Sequence, residues 1–135
     1  MNNKILRYIL IFIGVVALTM VVGFLTMNAK MKKQIAAFDK TPVDISKVKD
    51  GTYEGNSHTD LVKVEVKVSV HEGTLEKVEL VKHECGLGSK ANVLADNMVA
   101  QNTVEVDAVS GATMSSEVIK DAVRNALRSN KNTGQ

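Results

Sequence analysis

The chain has 135 residues, 44% of them apolar and 24% charged, which suits one small folded domain with an appendage. Its formal charge of +2 divides unevenly: residues 1–33 carry five Lys or Arg and no acid, leaving 12 basic and 15 acidic residues beyond them. The remaining body is mildly acidic and lacks a basic patch interleaved with aromatics, which argues against nucleic acid as a partner. A single cysteine excludes an internal disulfide.

The appendage comes first. Tyr8 to Met27 reads YILIFIGVVALTMVVGFLTM, an uncharged run of the ~20 residues that a helix needs to cross a bilayer core. A cleavable signal peptide has a shorter apolar core and a small-residue cleavage site. Met27-Asn28-Ala29 fits that poorly, and Cys85 lies too far on for a lipoprotein signal, so an uncleaved anchor is expected over residues 1–29. Lys4 and Arg7 on one flank nearly balance Lys30, Lys32 and Lys33 on the other, so charge alone does not orient it.

Residues 30–49 are polar, charged and interrupted by Pro42, the composition of a juxtamembrane stalk. Ile35, Ala36 and Phe38 suit a helix continuing from the span, while Pro42 pushes its predecessor out of helical geometry. Fully extended, Gln34 to Lys49 reaches ~50 Å, enough for the head to sweep over neighbouring membrane proteins.

The head, 50–129, opens with strands. Thr52 to Ser57 is a weak first strand. Val62, Val64, Val66, Val68 and Val70 alternate with Lys63, Glu65, Lys67 and Ser69, the period of two that buries one face of a strand. His71-Glu72-Gly73 supplies a turn, and Thr74 to Lys82 returns antiparallel with Leu75, Val78 and Leu80 inward. Val104-Glu105-Val106 reads as a short edge strand. Two amphipathic helices are predicted: Ser89–Asn102, with Ala91, Leu94, Ala95, Met98 and Val99 on one stripe, and Ser115–Arg128, with Val118, Ile119, Ala122, Val123, Ala126 and Leu127 on another. In the second, Glu117 and Asp121 come early and Arg124 and Arg128 late, complementing the helix dipole. Residues 130–135 read as a disordered tail.

Two loops carry candidate chemistry. His83-Glu84-Cys85-Gly86-Leu87-Gly88 joins the hairpin to the first helix, and its glycines let the backbone approach a flat ring; the same run also reads as a plain connection ending in Ser89 as helix cap. Cys85 and His83 fall short of a zinc ligand set, because His58 and His71 belong to other loops. The second loop, Asp107-Ala108-Val109-Ser110-Gly111-Ala112-Thr113, ends at a helix start. There, small residues leave Thr113 accessible, and amides without intrahelical acceptors favour an anion. An ordinary turn and N-cap would look similar. A hydrolase elbow is not present, since Ala108 and Ala112 occupy its glycine positions.

The Asp-x-x-Ser-Gly-Ala-Thr run resembles the flavinylation motif of the FMN-binding domain family, which includes flavin-carrying subunits of the sodium-pumping NADH:quinone reductase and of the Rnf complex. Asp50-Gly51-Thr52-Tyr53-Glu54-Gly55 is similar to that domain's opening, so the resemblance spans roughly Asp50 to Leu127. It implies FMN joined covalently to Thr113 as a phosphoester by a flavin transferase that reads Asp107, Ser110, Gly111 and Ala112. It also implies that the loop after the hairpin lies near the cofactor, with Leu87 and Gly88 against the isoalloxazine and His83 bonded to it. Because such transferases act outside the cytoplasmic membrane, residues from Asn28 onward are expected outside.

The expectation is an α+β protein: a transmembrane helix, then a small antiparallel sheet packed on two helices. It would be a single-pass, extracytoplasmic FMN carrier in the cell membrane, relaying electrons between quinone-linked or NADH-linked membrane redox proteins and an acceptor, a carrier more than a stand-alone enzyme. The competing expectation is an anchored sensor or adhesion module on the same scaffold without flavin.

Overall fold

The computed structural model describes residues 2–84, 92–110 and 113–129. Helix α1 runs from Asn3 to Ala36, 34 residues, and is long and apolar enough to cross a membrane. Its large side chains, Phe12, Met20 and Phe24 among them, are exposed all round. Within the apolar run, Thr19 and Thr26 donate their hydroxyls to the carbonyls of Val16 and Gly23, each at 2.8 Å. Such internal bonds satisfy polar groups that hydrocarbon cannot.

The stalk is not extended. Met31 and Ile35, at the top of α1, are buried against the head, and Ile45 and Val48 join its core. Arg128 donates from Nη2 to the carbonyls of Asp39 (3.0 Å) and Thr41 (2.8 Å). Asp44 accepts from the Ser46 amide at 3.1 Å and caps a 3₁₀ turn at Ile45–Lys47. The polar composition concealed this docking, because Phe38, Val43, Ile45 and Val48 are too irregularly spaced to mark an element yet suffice to cover the core's edge.

The head is a three-stranded antiparallel sheet in the order β1-β2-β3: Gly51–His58, Lys63–His71 and Thr74–Glu84. Val64, Val66, Val68 and Val70 of β2 point into the core, while Lys63, Glu65 and Lys67 face solvent, as their alternation predicts. Glu72 (φ 50°) and Gly73 (φ 72°) form the two-residue turn between β2 and β3. Paired left-handed residues match the twist of a hairpin. Asp50 steadies that turn, accepting from the Glu72 amide at 2.8 Å and pairing with His71 at 3.0 Å. The uneven spacing of Leu75, Val78 and Leu80 has a geometric origin: the register slips at Glu76 and again at Val81, leaving each without a partner on β2. Each bulge resets which side chains point inward.

Val104–Val106 does not form the expected edge strand. The Val106 amide turns back onto the Val104 carbonyl (2.9 Å) and that of Glu105 bonds Thr103 Oγ1 (3.1 Å), so the backbone satisfies itself locally while both valines plug the core.

Helix α2, Asn92–Gln101, buries Leu94 and Met98 and ends at Asn102, which is left-handed (φ 51°). The Thr103 amide bonds Met98 O and that of Asn102 bonds Val99 O, a Schellman closure. Asn102 Oδ1 then accepts from the Leu75 amide at 2.7 Å, tying the helix end to the start of β3.

Helix α3, Thr113–Ser129, lies across β1 and β2. It meets β1 at Gly55, where an added Cβ would stand 2.3 Å from Ala122 O and 2.4 Å from Ala126 N. Both neighbours are backbone, so the contact has no flexible atom to yield. Gly55→Ala is therefore expected to cost about 3 kcal/mol, at the upper end of overpacking penalties, and to lower the melting temperature by ~10 °C or more in a thermal melt.

The docked stalk carries a pH dependence. Hydrogen bonds from the Thr41 hydroxyl and amide, helped by Arg128, hold the Asp39 carboxyl below its ordinary value of 3.8, and bonds from Lys30 and Gln34 do the same for Asp60. Depressed folded-state values mean that these ties are fully present above the unfolded value and fade as pH falls through the folded one. Amide exchange at Thr41 and Asp60, corrected for intrinsic rates, should accelerate on acidification below about pH 3.8, ahead of amides in β2.

Candidate functional site

The stretch between the Schellman turn and α3 runs alongside α3 in the opposite direction and is tied to it at two levels. Glu105, between the two plugging valines, receives Arg124 in a fork: Nε to Oε1 and Nη2 to Oε2, both at 3.0 Å. Arg124 is 1% exposed. Closer to the helix start, the Val109 amide donates to Ser116 Oγ at 3.1 Å, and Ser116 is fully buried. Val109 and Met114 pack against the core on either side of the turn. Chain entry and helix start are thereby fixed relative to each other.

Thr113 is the first residue of α3 and is exposed, as is Ser110 in the preceding turn. A hydroxyl there sits among the first amides of a 17-residue helix, whose positive end favours an attached or bound phosphate. Asp107 is exposed, and no described residue bonds its carboxylate. His83 pairs through its backbone with Val64 near the end of β3, and its side chain lies outside the description. Leu87, Gly88, Gly111 and Ala112 also lie outside the described residues.

The charges of α3 do more than complement its dipole. Asp121, 6% exposed, accepts from Ser57 Oγ at 2.6 Å and from Asn125 Nδ2 at 3.3 Å, while the same Asn125 group reaches Asn56 O at 2.9 Å. Glu117 lies between Lys120 (3.6 Å) and Lys40 of the stalk (3.9 Å). The dipole pattern of the sequence did not disclose these contacts: β1 covers Asp121, the Glu105 segment covers Arg124, and Lys40 of the stalk reaches Glu117. Glu105 between Val104 and Val106 was the available signal, an acid held between two core residues and so aimed the other way.

A shallow depression of about 210 Å³ lies elsewhere, on the solvent face of the sheet by Glu54, Asn56, Glu65, Lys67 and Val81. It opens away from α3, and the charges around it are ordinary surface pairs such as Glu54–Lys67 at 3.4 Å.

Fold and site together define a small α+β domain that presents an accessible hydroxyl at a braced helix start, behind a helix able to span a membrane. The chain belongs to the FMN-binding domain family: the family's model matches residues 58–128, just over half of the sequence. No curated protein matches the chain. FMN is the cofactor that a domain of this family accommodates, and an exposed hydroxyl at the positive end of a helix suits its phosphate.

Glu105→Gln keeps the shape of the brace but removes the charge facing a buried guanidinium. Stability is expected to fall by about 1–3 kcal/mol, the penalty for leaving such a group poorly satisfied. Hydrogen exchange should report faster opening at Val109, with β2 amides changing only with global stability.

Proposed function

We propose that this protein is a membrane-anchored, extracytoplasmic flavoprotein that carries FMN as a phosphoester on Thr113 and relays electrons between membrane redox partners and an acceptor. The observation that supports it most is the position of Thr113: exposed, first in α3, and preceded by a motif segment braced through Arg124–Glu105 and Ser116–Val109. A transferase needs an accessible hydroxyl, and a carrier needs an attachment point that does not wander.

Attachment proceeds by displacement at phosphorus. The Thr113 oxygen bonds to the FMN phosphorus of FAD, the pyrophosphate P–O bond breaks, AMP leaves, and the hydroxyl proton passes to base or solvent. Once attached, FMN supplies a redox centre that accepts two electrons and can pass them singly. The protein's own part is to hold the phosphate end at the helix start, keep the site outside the membrane core, and bring the transferase to the motif. The exposed Asp107, which braces nothing described, suits recognition by that enzyme.

Membrane partners follow from the anchor: quinone-linked or NADH-linked redox proteins on one side and an acceptor on the other. The orientation, with the head outside, rests on where the family's transferases act. An anchored sensor or adhesion module would use the same scaffold without flavin, and colour separates the two.

The intact mass of the protein from its native membrane should exceed the sequence mass by one FMN less water, with the added mass on the peptide containing Thr113. Thr113→Val should abolish the adduct while leaving the circular dichroism spectrum unchanged, and Thr113→Ser should retain part of it. Flavin persisting on the Val variant would refute the assignment. Asp107→Ala should fold normally and load little flavin; full loading with a large loss of stability would make Asp107 a turn-former instead.

A further inference from the structure

The turns of α1 directly above the apolar run are the ones that the head grips. Lys30 pairs with Asp60, and Gln34 and Asp60 exchange two bonds, Gln34 Nε2 to Asp60 Oδ1 at 3.1 Å and the Asp60 amide to Gln34 Oε1 at 3.2 Å. Met31 and Ile35 are buried beside them. At 1.5 Å per residue, Lys30 stands ~5 Å and Gln34 ~10 Å beyond Met27 along the helix, and the headgroup layer is only ~5–7 Å deep on each side. The tip between β1 and β2 is therefore held at the membrane surface. Leu61 at that tip is 47% exposed and borders a depression of about 140 Å³ with Met27, Met31 and Lys30.

The chain then climbs away from the bilayer. It meets Asp60 first, next Arg128 at the end of α3 through Asp39 and Thr41, and last the β2–β3 turn, where Ser46 Cα lies 3.2 Å from the position of a Cβ on Gly73. This order defines a near end and a far end of the head. Helix α3 runs against β1, since Gly55 abuts Ala122 and Ala126, Asn56 meets Asn125, and Ser57 meets Asp121. Following α3 from Asp121 back to Thr113 descends ~12 Å toward the near end. Following β1 from Ser57 to Asp60 descends ~10 Å the same way. Thr113 and the membrane-facing tip lie at one level.

We infer that the head is clasped to α1 with its acceptor end facing the bilayer, Leu61 seated in the interfacial layer and Thr113 presented to the lipid surface. The partner of this face is the bilayer itself. The inference rests on reading α1 as a span and Thr113 as the acceptor, and Asp60 and Gln34 act in it as positioning residues.

Depth-dependent quenching tests it. The full chain carrying Cys85→Ser is reconstituted into bilayers, labelled with a fluorophore at Leu61→Cys, Ser110→Cys or Glu72→Cys in turn, and exposed to lipids bearing a nitroxide on the headgroup. Quenching at Leu61 and Ser110 is expected to be several-fold that at Glu72, on the far turn. Equal quenching at all three sites, or the strongest at Glu72, would overturn the posture, as would a chain that does not stay with the bilayer. Asp60→Ala combined with Gln34→Ala should bring the Ser110 signal toward that of Glu72; no change would overturn the role of the clasp. Intact mass of the unsubstituted chain reads flavin separately, so the expected quenching without flavin would refute the acceptor assignment and leave the posture standing.

Discussion

The arrangement depends on one close approach, that of α3 to β1 at Gly55. With backbone atoms of Ala122 and Ala126 less than a van der Waals contact from where a Cβ would be, helix and strand meet main chain to main chain, and both alanines are small for the same reason. Around this point Val64, Val66 and Val68 of β2 complete the floor beneath Val118, Ile119, Ala122 and Val123. Because the contact leaves no room for sliding, it sets which α3 residues face Asn56 and Ser57, and therefore where the helix begins. Thr113 inherits its position from a glycine far from it in sequence.

Polar ties then select the direction of each neighbour of α3. Burying Asp121 and Arg124 is costly in itself, and such groups persist when their hydrogen bonds are supplied. Ser57 and Asn125 supply them for Asp121, and Glu105 accepts from two of the three guanidinium nitrogens of Arg124. The remaining one, Arg124 Nη1, is buried with no partner among the described residues. A satisfied apolar pair in the same places would hold the segment as firmly, but it would not distinguish Glu105 from either valine beside it. The polar ties therefore contribute register more than net stability, and register is what fixes the segment leading into Thr113.

The sheet and helices were legible because their residues alternate or recur at simple periods: the valines of β2 for a half-buried strand, the 118, 119, 122, 123, 126 and 127 stripe for α3. Where a period was interrupted, the reading failed for an identifiable reason. Val104-Glu105-Val106 has the alternation of a strand, yet three residues are too few to show that its amides bond locally. The stalk's four apolar residues follow no period, so docking could not be read from them. Arg124 at the end of an amphipathic helix fits a dipole rule and a buried fork equally well, and only tertiary contact separates the two. The place of Thr113 at a helix start was legible, whereas the bracing by Ser116 and Glu105 required knowing that the motif segment folds back along α3.

A head on a free stalk would gain reach and lose local concentration, since the effective concentration of a tethered group falls as its tether lengthens. The docked stalk makes the opposite trade. Arg128 and the Asp60 clasp remove most of the length that residues 30–49 would otherwise provide, and they hold the head close to the helix able to span a membrane. A flavin on Thr113 would then meet partners confined to the same membrane far more often than partners in bulk water. Under this arrangement the domain would select among electron partners by where it stands.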